Sequence, residues 1–140
     1  MKELVIICGS KSDQEIVDHG IKLCQEYDID FEQRTLSAHR NVKELDQYLE
    51  EVEANGKTEV IIAAAGLSAA LPGAVAARVK IPVLGVPLAG GVLNGVDAAY
   101  AILQMPGGVP VATMGAIGKP GMLNAVHMAK RILDRVKRKR

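Results

Sequence analysis

Four consecutive residues, Ser37-Ala38-His39-Arg40, bring a hydroxyl, an imidazole and a guanidinium together. A guanidinium grips a phosphate or carboxylate through a planar fork of N–H donors. Ser37 can add a hydroxyl to the same anion. An imidazole is the side chain that both takes and returns a proton near neutral pH. Taken alone, the tetrapeptide reads better as a helix-opening turn with a solvated His-Arg pair. The rest of the chain reverses the preference.

A second candidate is Gly9-Ser10-Lys11-Ser12-Asp13, which follows an apolar run and opens a helical pattern. Backbone N–H groups at a helix start, joined by the hydroxyls of Ser10 and Ser12, form an anion site. Asp13 can accept hydrogen bonds from sugar hydroxyls. Simple capping by Ser12 and dipole complementation by Asp13 explain the same residues as well. The spacing fits neither a G-x-x-x-x-G-K-[ST] loop nor G-x-G-x-x-G. A third candidate, Ala65 to Gly73, is uncharged and rich in small residues. It lets a flat ligand approach the backbone closely, although a tight strand-to-helix packing turn has the same composition.

The remaining chemistry is sparse. Three histidines (His19, His39, His127) and two cysteines show no metal-ligand spacing, so no metal is expected. His19 and His127 fall on predicted helices as surface or packing residues. No nucleophile elbow is present. One imidazole, with hydroxyls and one arginine for anchoring, suits proton transfer on a phosphorylated small molecule.

These loops need strands and helices to hold them. Leu4 to Cys8 is a short continuous apolar run, the pattern of a strand buried on both faces. Ser12 with Glu15 predicts a capping box, and Ile16, Gly20, Leu23, Cys24 and Tyr27 share one face of the helix that follows. Phe31 to Leu36 is a second strand, and it delivers Ser37 to Arg40 at its carboxyl end. Asn41 with Glu44 predicts the start of a helix carrying Leu45, Tyr48, Leu49 and Val52 at i, i+3, i+4, i+7 and stopped by Asn55-Gly56. Val60 to Ala64 is a third strand, Ala74 to Val79 a helix, and Pro82 to Pro87 a fourth strand. A loop from Leu88 to Asn94, a helix from Asp97 to Leu103, a fifth strand from Val109 to Thr113, a glycine-rich loop from Gly115 to Gly121 and a helix from Leu123 to Val136 complete the reading. Strand and helix alternate throughout, which predicts an α/β fold with a central parallel sheet. In such a sheet, ligands bind at the carboxyl ends of the strands.

Composition narrows the partners. The 140 residues predict one domain, 1–140, ending in a solvated basic tail, 137–140. The net charge of +1 gives no field for nucleic acid or a membrane surface, and one Phe with no Trp leaves no platform for stacking bases. Cys8 and Cys24 read as buried free thiols of a reducing compartment. No signal peptide or transmembrane run is visible, so a cytoplasmic protein is expected. The weakly charged Ala/Gly-rich stretch from Ala63 to Gly121 points to close helix packing and burial between subunits.

Several motifs occur in one order: Gly9-Ser10-Lys11-Ser12-Asp13, Ser37-Ala38-His39-Arg40, Ala70-Leu71-Pro72-Gly73-Ala74-Val75-Ala76, Gly95-Val96-Asp97, and Gln104-Met105-Pro106 with Gly108-Val109-Pro110-Val111. With Ile117-Gly118-Lys119 and Asn124-Ala125, this series resembles the PurE family of purine biosynthesis over nearly the whole chain. The resemblance implies a three-layer αβα sandwich, flavodoxin/Rossmann-like, assembled as a homo-octamer and working without a cofactor. It also implies that Ser10, Ser12, Ser37 and Arg40 hold a nucleotide 5′-phosphate and that Asp13 holds the ribose. His39 is then the general acid/base. Gly66, Leu67, Ser68, Ala69, Ala70 and Leu71 cradle carbon dioxide or the carboxyl group.

The family has two branches, both yielding 4-carboxy-5-aminoimidazole ribonucleotide (CAIR). One carboxylates aminoimidazole ribonucleotide (AIR) directly with carbon dioxide; the other is a mutase that rearranges N5-carboxyaminoimidazole ribonucleotide (N5-CAIR). Mutases typically carry Gly-Gly-Ala-Ala-His-Leu-Pro-Gly in the third loop, and direct carboxylases resemble Gly-Arg-Ser-Asn-Ala-Leu-Ser-Gly. Here Gly66-Leu67-Ser68-Ala69-Ala70-Leu71-Pro72-Gly73 mixes the two, with Ala70 at the mutase histidine and Gln14 where an aromatic residue often stands. Ser68 and Ala70 tilt the expectation to direct carboxylation, with the mutase as the alternative. A carboxylase of another heteroaromatic nucleotide and a non-catalytic nucleotide-binding module are the further alternatives.

Overall fold

The computed structural model of the chain describes residues 2–140. The apolar run Leu4–Cys8 forms β1, buried along its whole length. It is followed by a 3-10 turn, Lys11–Asp13, and by α1, Gln14–Glu26. Then come β2 (Phe31–Thr35), α2 (Val42–Asn55), β3 (Val60–Gly66), α3 (Ala70–Ala76) and β4 (Val83–Leu88). The chain ends through α4 (Val96–Leu103), β5 (Ala112–Thr113) and α5 (Lys119–Lys137).

The strands form one sheet of order β2-β1-β3-β4-β5, and every neighbouring pair is parallel. This is the flavodoxin-like order, in which the direction of winding reverses between β1 and β3. Alternate strand residues feed two separate cores. Leu4, Ile6, Val60, Ile62, Leu84 and Val86 pack with α1 and α5 through Val17, Cys24, Met122, Val126 and Leu133. Val5, Ile7, Ile61, Ala63 and Val83 pack with α2, α3 and α4 through Leu45, Leu49, Val52, Val75 and Ile102. The expected three-layer αβα sandwich is therefore observed. Cys8 is level with Thr35 on one side and Ala64 on the other. The loops after β1, β2 and β3 thus leave the sheet at one edge.

Several expected boundaries shift, each for a local reason. α3 starts at Ala70, not Ala74, because Pro72 sits in its first turn, where a proline lacks no needed N–H. α5 starts at Lys119, not Leu123, again with a proline, Pro120, in the first turn. The glycine-rich loop shortens accordingly to 115–118. β5 is only two residues long and lies at the sheet edge; Pro110 cannot donate to the ladder. Cys8 and Cys24 are free and buried. At the carboxyl end, Lys137 pairs with Glu3 and Arg140 with Glu59. Among the described residues, no helix is long and apolar enough to cross a membrane.

Candidate functional site

The turn after β1 is built by its own side chains. Ser10, not the expected Ser12, is the capping residue: its Oγ accepts from the Ser12 N–H at 3.3 Å and lies 3.0 Å from the Ser12 hydroxyl. Asp13 completes the box by accepting from the Ser10 N–H through Oδ2 at 3.0 Å. Ser10 competes better because its extended backbone (φ −151°) turns the hydroxyl over the following N–H groups. Burial pushes the Asp13 carboxyl above the ordinary carboxylate range; the N–H groups of Ser10 and Gly9 and the charge of Arg40 pull it back.

The turn after β2 is locked in the same way. Ser37 is only 8% exposed. Its Oγ accepts from the His39 N–H at 3.2 Å and the Arg40 N–H at 3.1 Å. Asn41 opens α2 but does not cap it with its side chain; its Oδ1 instead accepts from the Ser37 N–H at 3.1 Å. The Ser37 carbonyl accepts in turn from the Asn41 N–H at 3.0 Å. Two reciprocal bonds and two donors to one oxygen thus fix the backbone that carries His39 and Arg40. Both of those side chains are exposed.

The third segment is shorter than the sequence indicates. Since β3 runs to Gly66 and α3 begins at Ala70, only Leu67, Ser68 and Ala69 lie between them. Leu67 and Ala69 adopt left-handed backbone, with φ +55° and +39°. Gly66 lies close to β4, so that a Cβ there would meet the Leu88 carbonyl oxygen at 3.2 Å.

These segments enclose one cavity of about 330 Å³ at the carboxyl edge of the sheet, over the β1/β3 reversal. That size suits a small ligand. Every residue to which the resemblance gives a catalytic or substrate-binding role lines it: Ser10, Ser12 and Asp13; Ser37, His39 and Arg40; and Gly66 through Leu71; Lys11, Pro72 and Gly73 of the candidate loops do not. The loop after β4 contributes Ala89, Gly90 and Gly91, which sequence reasoning had read only as loop. Their signal was faint, a glycine pair just past a buried strand. His19 and His127 lie on helices outside the cavity lining; the His127 Nδ1 is 2.8 Å from the Tyr27 hydroxyl. Among the described residues, no group of three or more His, Cys, Asp or Glu could hold a metal ion.

The cavity is chemically divided. Its ionisable side chains, Asp13, His39 and Arg40, come from the turns after β1 and β2. The segments after β3 and β4 supply only backbone, small residues, Ser68 and two leucines. Such a cavity can hold an anion at one end and a flat, uncharged group at the other, with an imidazole available for proton transfer.

A family model described as AIR carboxylase matches residues 3–139. An N5-carboxyaminoimidazole ribonucleotide mutase of Pseudomonas aeruginosa is 48% identical, with 91% of this chain and 77% of that protein covered. Enzymes of the same name from Saccharolobus solfataricus and Bacillus subtilis are 47% and 46% identical, covering 95% and 96% of this chain and 82% of each of those proteins. A crystal structure of Treponema denticola PurE superposes with a TM-score of 0.76 over 97% of this chain and 91% of that one, at 22% identity; it speaks for the fold alone.

Proposed function

This chain belongs to the AIR carboxylase family, and from that membership we propose that it is an N5-CAIR mutase of purine biosynthesis. The third loop, through Ser68 and Ala70, had tilted the expectation to direct carboxylation. Relatives at 46–48% identity that carry the mutase name favour the alternative. The observation that carries the mutase branch is the 46–48% identity to relatives of that name; the divided cavity, which fits either branch, supports a nucleotide substrate.

In this proposal, Arg40 and the hydroxyls of Ser10, Ser12 and Ser37 hold the 5′-phosphate, and Asp13 accepts from the ribose hydroxyls. The imidazole ring then lies toward Gly66 to Leu71. The carbamate N5–C bond breaks, its electron pair stays on N5, and N5 takes a proton. Carbon dioxide is released inside the cavity. The enamine-like ring carbon C4 attacks it, a C4–C bond forms, and the C4 proton leaves so that the ring regains aromaticity. The net change is one proton moved from C4 to N5 and one carboxyl moved from N5 to C4. A single imidazole at position 39 can give the first proton and take the second. Anchoring at phosphate and ribose supplies the positioning.

Direct carboxylation of AIR is the second reading, and Ser68 with Ala70 favours it. The protein is further proposed to act in the cytoplasm, where its two free thiols are at home, and to assemble as a homo-octamer. The exposed apolar side chains of Val92, Leu93, Val96, Tyr100 and Leu103 support self-association. As a lyase or decarboxylase it would run the same carbon–carbon step with free carbon dioxide. Supplying each substrate separately tests the choice. The mutase consumes N5-CAIR and makes little product from AIR at ambient carbon dioxide; product from AIR that scales with dissolved carbon dioxide overturns it. His39→Asn should lower turnover by about 10²–10⁴-fold while nucleotide binding survives; near-normal turnover would reject the role of His39.

A further inference from the structure

β1 and β2 each deliver one half of the proposed phosphate grip. Cys8 and Thr35 face each other at the last matched position of the β1–β2 ladder. One further backbone bond, from the Leu36 N–H to the Cys8 carbonyl at 2.9 Å, closes that ladder. Gly9 then starts one turn and Ser37 the other. Among the described residues, no hydrogen bond joins residues 9–13 to residues 37–41; each turn bonds only within itself or to its own strand and neighbours. β2 is also an edge strand, paired on one side alone. The spacing between the two turns is therefore set at the strand ends beneath them.

Gln33 ties those ends together. Its Nε2 donates to the Cys8 Sγ at 3.4 Å, across the strands, and to the Thr35 Oγ1 at 3.3 Å, along its own strand. The Cys8 Sγ and the Thr35 Oγ1 stand 3.5 Å apart. A primary amide has one N–H for each acceptor, so three side chains close a triangle over the last rung. Cys8 is fully buried. Burial raises its thiol above the ordinary value; the bond to Thr35 lowers it, the charge of Asp13 raises it, and the Gln33 amide and the Ser10 N–H lower it. The sulfur thus lies directly under Ser10, the residue that caps the first turn, and a buried protonated thiol serves as a joint, not as a nucleophile. Cys8, Gln33 and Thr35 do not line the cavity; the triangle acts from behind it.

Building on the nucleotide reading, we propose that Gln33 is a positioning residue: by tying Cys8 to Thr35 it fixes the separation of Ser10 and Ser12 from Ser37 and Arg40, so that both turns close on one phosphate. Each bond of the triangle is weak, because sulfur is a poor acceptor. Its use lies in spacing more than in stability. An anion gripped from two turns senses that spacing, since hydrogen bonds weaken steeply away from their preferred length and angle. The ring end of the substrate rests on the segments after β3 and β4 in the proposed pose, so a ligand without the phosphate does not sense it.

The test compares two ligands that differ only at the phosphate, AIR and the riboside that lacks it, by calorimetric titration of the full chain. Gln33→Leu keeps the bulk of the side chain and removes both donors. It should weaken AIR binding about 3–10-fold, the worth of one hydrogen bond, and leave riboside binding and the melting temperature close to those of the wild type. Gln33→Leu added to Cys8→Ala should cost little beyond Cys8→Ala alone, because the sulfur through which it acts is gone. An unchanged affinity for AIR, or an equal loss for AIR and the riboside with a lowered melting temperature, overturns the role of Gln33 and leaves the nucleotide reading intact. A wild type that binds AIR no tighter than the riboside overturns the phosphate site itself and this inference with it.

Discussion

Ser37→Ala separates two roles for one hydroxyl. In the free protein the Ser37 Oγ accepts from two backbone N–H groups, those of His39 and Arg40, in an 8% exposed position. Removing it strands both donors. Losing a side-chain oxygen that satisfies N–H groups at a helix start costs about 0.5–2 kcal/mol, and an unsatisfied buried polar group costs about 1–3 kcal/mol. The two figures describe the same loss and are not added; water reaches part of this turn, because the His39 and Arg40 side chains are exposed, so about 1–2 kcal/mol applies. For a chain of 140 residues that is a fall in melting temperature of roughly 3–8 °C. The same loosening releases the backbone that aims the imidazole. A misplacement near 1 Å costs up to ~10²-fold, so kcat should drop about 10–100-fold as the turn relaxes. Ser37→Thr keeps the oxygen and should restore both quantities. Calorimetry and steady-state kinetics on the two variants decide the matter. If Ser37→Ala melts with the wild type and only KM rises, the oxygen serves as an anion ligand and the turn is held without it.

Two further outcomes follow from the geometry. Burial raises the Asp13 carboxyl, so the folded chain favours its protonated form; that favourable contribution is full below the unfolded value and is lost as pH rises through the folded one. Asp13→Asn keeps an oxygen for the Ser10 N–H and cannot ionise; it should melt at or above the wild type at neutral pH, the gap closing as pH falls into the carboxylate range, while nucleotide binding weakens. A thermal-melt series against pH with a binding isotherm checks both parts. Gly121→Ala would place a Cβ 2.0 Å from the Ala116 carbonyl oxygen, whereas Gly20→Ala meets only side-chain atoms of Met122, Cε at 2.3 Å and Cγ at 2.9 Å. The first should cost about 3 kcal/mol or more in urea denaturation and the second clearly less.

How much of this was legible beforehand depends on which force sets each feature. β1 was readable to the residue, because five consecutive apolar side chains have no other stable home than a doubly covered strand. The amphipathic face of α2 was readable for the same reason, since burial dominates and repeats at a fixed period; that of α1 was placed slightly off, because Val17, fully buried beside Gly20 and Cys24, was not among the residues expected on it, and Ile16, Leu23 and Tyr27 are only partly buried. Caps were harder. Ser10 and Ser12 are chemically equivalent, and only backbone direction decides which hydroxyl covers which N–H. Asn41 carries the signature of a capping side chain but spends its oxygen on Ser37, four residues back. Pro72 and Pro120 look like helix breakers in a one-dimensional reading, yet both lie in first turns, where their missing N–H is not needed.

The site itself was legible where it is charged and illegible where it is not. Asp13, His39 and Arg40 announce themselves by type; Asp13 follows the apolar run of β1, whereas His39 and Arg40 follow β2, whose Phe31-Glu32-Gln33-Arg34-Thr35 carries no apolar run. Ala89, Gly90 and Gly91 have no functional group to notice; their contribution is the absence of a Cβ beside Leu67. The sheet order makes that difference consequential. β2 and β1 lie together on one side of the reversal, and β3 and β4 on the other. A ligand seated across it meets ionic groups from the first pair and bare walls from the second. For the proposed substrate this is the required division, because its phosphate is bound by charge whereas its migrating carboxyl passes through a neutral molecule that only shape can hold. Substitutions in the first pair of loops should therefore act on affinity and proton transfer, and those in the second on the fate of the released carbon.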